Sequence, residues 1–373
     1  MSCLTYNFCL LHTVKSEEEL VEMATECMQD AFRASTRGNL KSQFKNWSQF
    51  CLDYSKNPVP CSGDDLVLYS MWLACSGRAH CGGTIRNNLS GVRTLHKLQG
   101  QKLPPAPSEY GPLELVVRGL SRRLDGPTRR MWPITPPILK ELLQIPGAEM
   151  DVCTQEAETL LKDNPYVYYQ VFGRIITAKV IRALYLVLFM SFLRLSSCIP
   201  TSVAKLDRRK QLVWSKVGVI PGGIVLSVTG AKNQKEGEVL EVPLAEAELP
   251  EFCPVAGLQE LARIKDYPKG PDDAVFQIPD SKGGWKPLVR YQFVKVLDAA
   301  ITAMGLDAKK YRPHAFRRGG MSFGTQVVKH MEMLRLHGGW SSNCYMVYVS
   351  LPPAARLQVT KTMSDELYLC SGQ

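Results

Sequence analysis

The sequence has no apolar run long enough to cross a bilayer. Its longest, Ala183 to Leu193, covers eleven residues, is interrupted only by Ser191 and stops at Arg194, whereas a spanning helix needs roughly 20. That run reads as a buried helix, and no membrane partner is expected. The opening M-S-C-L-T-Y-N-F-C-L-L-H shows neither a basic leader nor a long apolar segment, so nothing marks the chain for secretion. Twelve cysteines are scattered without a single C-x-x-C pair, which argues for reduced thiols and against a disulfide framework. Cys75 and Cys81 have only His80 near them, so no metal site is expected. Internal repeats and low-complexity tracts are also missing. With 45% apolar and 21% charged residues, the composition is that of a globular protein rather than a disordered or collagenous one.

At 373 residues the chain exceeds a typical single core, and two domains are expected. Its net charge of +10 is unevenly spread: −5 over residues 1–30, +9 over residues 31–130, and +6 over the remainder. A basic block of this kind most often meets nucleic acid, because neutralising phosphates releases counterions. A solvated basic face is the plain alternative.

Residues 17–124 alternate helix-like stretches with polar breaks. Leu40, Phe44, Trp47, Phe50 and Cys51 recur at spacings of three and four, with Lys41 and Lys45 on the other face. Leu66 to Leu73 suggests a second helix. From Thr84, Ile85, Leu89, Val92 and Leu95 define an apolar side, while Arg86, Arg93 and Lys97 form a stripe suited to a phosphate backbone. A proline-rich stretch follows, and Arg122, Arg123, Arg129 and Arg130 surround Gly126-Pro127. Residues 125–136 thus read as a basic linker between the helical domain and a second domain over 137–350. There, Pro137 to Gln144 and Arg174 to Leu193 read as helices. Leu212 to Val217, Ile224 to Val228 and Val239 to Val242 read as strands of a small antiparallel sheet, before helices resume. The expected fold is mainly α with a small antiparallel β-sheet, the second domain being α+β.

Four separated segments of the second half carry chemistry. In F-L-R-L-S-S, Arg194 closes an apolar helix and needs an anion, either a carboxylate partner or a ligand. V-T-G-A-K-N-Q-K places Lys232 and Lys235 in a turn. Y-R-P-H-A-F-R-R-G-G sets His314 and Arg317 three apart, on one face of a helix beginning near Pro313. G-G-W-S-S-N-C-Y-M-V-Y puts Trp340 before a helix expected from Ser341 or Ser342, which carries Tyr345 and Tyr348.

In this order and spacing the segments resemble the active-site boxes of the tyrosine recombinase, or phage integrase, family. His314 to Arg317 is three residues, Arg317 to Trp340 twenty-three and Trp340 to Tyr348 eight. Residues 17–124, with G-R-A-H-C-G-G-T-I-R, look like the family's helical core-binding domain. H-A-F-R-R-G-G and the tryptophan before the tyrosine are most similar to recombinases of eukaryotic mobile elements, the crypton, Ngaro and DIRS-like groups.

The resemblance implies DNA strand cleavage and rejoining through a 3′-phosphotyrosyl link, with no ATP, metal or other cofactor. Arg194 and Arg317 would hold the phosphate, Lys232 would protonate the leaving 5′ oxygen, His314 would take the proton of Tyr348, and Trp340 would donate to phosphate or buttress the tyrosine. Tyr345 and Lys235 compete with Tyr348 and Lys232. Where many members carry an acid three residues after the first arginine, this chain has Ser197. The implied partner is double-stranded DNA, bound by a homotetramer on paired sites. Leu357, Val359, Met363, Leu367 and Leu369 of the tail 351–373 would dock on a neighbouring subunit, or pack on the chain's own core. An intracellular, nuclear location follows from the eukaryotic resemblance alone, since no compact basic run marks nuclear import. An inactive DNA-binding descendant and a type IB topoisomerase are the rival readings.

Overall fold

Aromatic residues at helical spacing build the first of two compact units, Met1–Arg129 and Arg130–Gln373. The computed structural model describes residues 27, 31–32, 34–126, 131–149, 155–229, 238–280, 284–328 and 330–349. The first unit contains helices α1 (Ala34–Asp53), α2 (Gly63–Cys75), α3 (Gly82–Leu98) and α4 (Gly111–Leu124). Each contributes one apolar stripe: Trp47 and Phe50 from α1, Leu66, Tyr69 and Leu73 from α2, Ile85, Leu89 and Val92 from α3, and Leu113, Val117 and Leu120 from α4. Trp47 meets Tyr69 edge-on, with ring centres 4.9 Å apart. The buried Asn88 is satisfied on both sides: its carbonyl oxygen accepts from Tyr69 and Asn46, each at 3.2 Å, and its amide donates to the Thr84 carbonyl at 2.9 Å. Ser62 and Asp65 close a reciprocal capping box that starts α2.

The second unit is organised around one long helix. It comprises α5 (Pro136–Leu143), α6 (Gln155–Asp163), α7 (Pro165–Met190), the single turn α8 (Leu195–Cys198), strands β1 (Val217–Ile220), β2 (Gly223–Thr229) and β3 (Val239–Ala245), α9 (Pro254–Arg263), β4 (Gln277–Pro279), β5 (Trp285–Pro287), α10 (Arg290–Ala303), α11 (His314–Val327) and α12 (Met331–His337). From Val180 to Phe189 almost every side chain of α7 is buried, so the helix is packed on all sides, by α5, α6, α9, β4 and α11. Its buried Lys179 is held by the Ala148 carbonyl at 2.8 Å and by Glu260 of α9 at 2.5 Å. Among the described residues no helix is long and apolar enough to cross a membrane.

Strands β1, β2 and β3 form one antiparallel sheet in that order, with Leu226 opposite both Val217 and Val242. Alternation in β2 buries Ile224, Leu226 and Val228 on one face. The mainly helical fold with a small antiparallel sheet is therefore present, and β4 and β5 add a short antiparallel pair. The first strand starts later than its sequence suggests. Trp214–Lys216 is a 3-10 turn, because the Trp214 indole donates to the Pro268 carbonyl at 3.0 Å and Lys216 reaches back to the Arg209 carbonyl at 2.7 Å. Leu212 and Val213 are buried ahead of it. Residues Trp132 to Ile134, read from sequence as part of the linker, are stitched into the second unit: Trp132 N–H donates to Lys310 and Ile134 N–H to Ala315, and Ile134 is buried.

Candidate active site

Helix α11 carries most of the site, and its glycines decide where it lies. A methyl group at Gly319 would strike the Ile134 carbonyl, and one at Gly320 the Phe189 carbonyl. The helix therefore lies backbone against backbone with the Ile134 segment at Gly319 and with the last turn of α7 at Gly320. This places Arg317, buried at 4% exposure, beneath the segment that leaves α7. That segment turns sharply: Phe192 has φ +54°, a left-handed conformation that a large side chain rarely adopts. Its carbonyl accepts from Arg317 Nη1, and the Gly338 carbonyl accepts from Nη2 at 3.1 Å. Arg317 Nε is buried without a hydrogen-bond partner. Two residues after the Phe192 turn, Arg194 stands half-buried at the N-terminus of α8. Among the described residues neither Arg194 nor Arg317 is in an ion pair, so the carboxylate partner considered for Arg194 is not found there.

The other wall is aromatic. Gly339, at φ +64°, turns the chain after α12. Trp340 is then buried over Arg317, whose guanidinium carbon lies 4.0 Å from the indole centre and 5.3 Å from the Tyr348 ring. The helix expected from Ser341 or Ser342 is a short 3-10 turn, Asn343–Tyr348, with the Ser342 hydroxyl accepting from Cys344 N–H at 3.4 Å. It separates the two tyrosines. Tyr345 is buried in a small apolar cluster with Phe192, Met321, Leu334 and Trp340. Tyr348 instead brings its hydroxyl to 3.2 Å from His314 Nε2, while its backbone carbonyl accepts from the buried Ser322 hydroxyl at 3.1 Å.

Electrostatics suit proton transfer from the phenol. Burial, with the nearby Arg317, Arg194 and Arg318 guanidinium groups, holds the His314 imidazole below its usual range. This favours the neutral ring, which in the tautomer with its proton on Nδ1 presents Nε2 as an acceptor. Burial, followed by the charge of Arg194, lowers the Arg317 pKa, and Tyr348 opposes this. The charges of Arg194 and Arg317, neither of them in an ion pair among the described residues, make this a place for an anion.

Tyr348 thus meets His314, Arg317 and Trp340, Trp340 lies over Arg317, and Arg194 is close enough to bias both His314 and Arg317. Lys232 and Lys235 lie outside the described residues, as do Arg129, Arg130, the N-terminal segment 1–16 and the tail 351–373. In the first unit Lys41, Lys45, Arg86, Lys97, Arg122 and Arg123 are exposed. Arg86 also donates to the Ser121 hydroxyl at 3.1 Å. Arg93 is engaged inside the unit, donating to the Pro104 carbonyl at 2.6 Å and pairing with Glu109 at 3.1 Å. Sequence reading missed Phe192 and Ser322; no local pattern marks either. Among the described residues no group of three or more His, Cys, Asp or Glu side chains could hold a metal ion.

No protein-family model and no curated protein matches the sequence. Solved structures do resemble it in fold. A lambda integrase dimer bound to a core site superposes with a TM-score of 0.51 at 11% identity, over 90% of this chain and 96% of that one. The Tn1549 transposon integrase in complex with transposon right end DNA gives 0.51 at 14% identity, over 88% and 94%. The XerH site-specific recombinase bound to a palindromic difH substrate gives 0.51 at 13%, over 87% and 77%. The chain has the fold of the tyrosine recombinases.

Proposed function

We propose that this chain cuts and rejoins duplex DNA through a 3′-phosphotyrosyl intermediate, in site-specific recombination or integration of a mobile element. The observation that carries the reading is the Tyr348 hydroxyl set 3.2 Å from His314 Nε2 beside the buried Arg317. A phenol has an ordinary pKa of about 10, so it needs both an acceptor for its proton and positive charge for the oxyanion. His314 takes the proton as the Tyr348 oxygen attacks phosphorus. The bond from phosphorus to the 5′ oxygen breaks, and Lys232 gives that oxygen a proton. Rejoining is the same sequence in reverse. Arg194 faces the non-bridging oxygens. Arg317 stabilises their added charge from below, through N–H groups not held by Phe192 and Gly338. The likeness in fold to DNA-bound integrases supports the reading, and the tetramer on paired sites, the eukaryotic mobile-element kinship and the nuclear setting belong to the same proposal.

The test is to incubate the protein with a library of nicked duplexes of randomised sequence, in which the cut strand cannot be resealed. A covalent adduct mapped to Tyr348 and missing from Tyr348→Phe is expected. An adduct at Tyr345, or none with a duplex that binds tightly, overturns the mechanism. Relaxation of one supercoiled circle without exchange between sites would mean a topoisomerase instead.

A further inference from the structure

The second unit displays a basic feature apart from the arginines of the site. Lys205-Leu206-Asp207-Arg208-Arg209-Lys210 holds four cations and one acid in six residues, and all four cations are exposed. It is a braced turn. Asp207 N–H donates to Gln211 Oε1 at 2.7 Å, the Asp207 carboxylate accepts from Arg209 N–H at 3.0 Å, and the same carboxylate pairs with Lys210 at 3.0 Å.

Two sets of bonds fix its position. Gln211 donates to the Ser196 carbonyl and Leu212 N–H to the Ser197 carbonyl, both at 2.9 Å, which ties the turn to α8, the helical turn that Arg194 starts. The Arg209 carbonyl accepts from Lys216 at 2.7 Å and from the hydroxyl of Thr229, the last residue of β2. Lys216 is a pin rather than a displayed charge, since it also donates to Gln211 and Thr229. The turn thus joins the single helical turn that follows Arg194 to the last residue of β2. Of the nearby acids, Asp207 is paired with Lys210, and Asp272 meets the turn through its carbonyl, which accepts from Arg208 Nε at 3.2 Å.

We propose that this turn is a duplex-DNA contact in which Arg208 and Arg209, flanked by Lys205 and Lys210, hold backbone phosphates beside the linkage that is cut. The position rests on the DNA-cleaving reading above; the binding does not depend on its chemistry. Guanidinium forks match phosphate oxygens, and a backbone already fixed by internal bonds loses little freedom when it binds.

Anisotropy titrations of a short labelled duplex of random sequence, over a range of salt, test it with the full chain. Arg208→Gln with Arg209→Gln should weaken binding about tenfold or more and flatten the slope of log affinity on log salt by about 2, near 0.9 per phosphate released. Arg208→Lys with Arg209→Lys should keep the slope, because charge is retained. An unchanged slope in the glutamine variant overturns the proposal, and so does an equal loss in the lysine variant, which would mean that the arginines serve folding. A wild-type chain that binds duplex but forms no adduct leaves this contact standing and defeats the enzyme reading. One that binds no duplex defeats both.

Discussion

The Tyr348 hydroxyl and His314 Nε2 lie 3.2 Å apart although 34 positions separate the two residues. Tyr345, three residues earlier, is buried in the cluster with Trp340 and Leu334. Tyr348→Phe is therefore expected to lower cleavage by about 10⁴-fold or more, as loss of a nucleophile does, while Tyr345→Phe keeps the adduct. Gel-shifted covalent product, with the modified peptide sequenced by mass spectrometry, separates the two.

The acid side of the pH profile should report His314. A base must be unprotonated, and burial with three neighbouring guanidinium groups pushes this imidazole down. Activity is thus lost as pH falls through a value below the ordinary 6.5 or so. Single-turnover cleavage measured from mildly acidic to neutral pH should stay flat to below that point, and His314→Gln should remove the limb and slow the plateau by about 10²-fold or more. A limb above the usual imidazole range would contradict the assignment.

Ser322 should behave as a positioning residue. Its hydroxyl holds the Tyr348 carbonyl at 3.1 Å, so removing it loosens the turn without touching the phosphate. Ser322→Ala should slow cleavage by about 10- to 100-fold, the scale of a small misplacement, leave duplex affinity unchanged, and speed amide exchange over residues 343–349. Ser322→Thr should restore the rate. Wild-type exchange and rate in the alanine variant would make Ser322 a packing residue only.

Two glycines of contrasting surroundings test the packing. Gly320→Ala drives a methyl into the Phe189 carbonyl and the Phe192 ring, and should cost about 1–3 kcal/mol, the usual range for overpacking. Gly119 on α4 has open space around it, so Gly119→Ala should stabilise its unit by about 0.5–1 kcal/mol through helix propensity. Thermal unfolding of both variants checks the signs.

Local chemistry explains which of these features could be read in advance. The spacing of His314 and Arg317 sits within one turn of helix, and the alternation of β2 is a two-residue pattern; both are visible to periodicity. The carbonyls that hold Arg317 come from Phe192 and Gly338, 125 and 21 positions away. Nothing in the neighbourhood of either residue announces them. Arg93 reads as one more cation on a basic stripe until Glu109, sixteen positions on, closes over it. The late start of β1 follows from a tertiary bond of Trp214, and β4 and β5 are three-residue strands too short to leave a pattern.

Helix α11 carries two sets of residues with separate duties. Gly319 and Gly320 admit the neighbouring backbone, and His314, Arg317 and Ser322 reach Tyr348 and its surroundings. Exchange of the imidazole for another polar ring would leave the architecture intact and silence the chemistry; a single methyl on the glycines would do the opposite kind of damage. A related chain that kept this fold without the chemistry would therefore retain the small residues and lose the reactive ones, and the pair G-G next to a lost histidine would be the mark by which to recognise it.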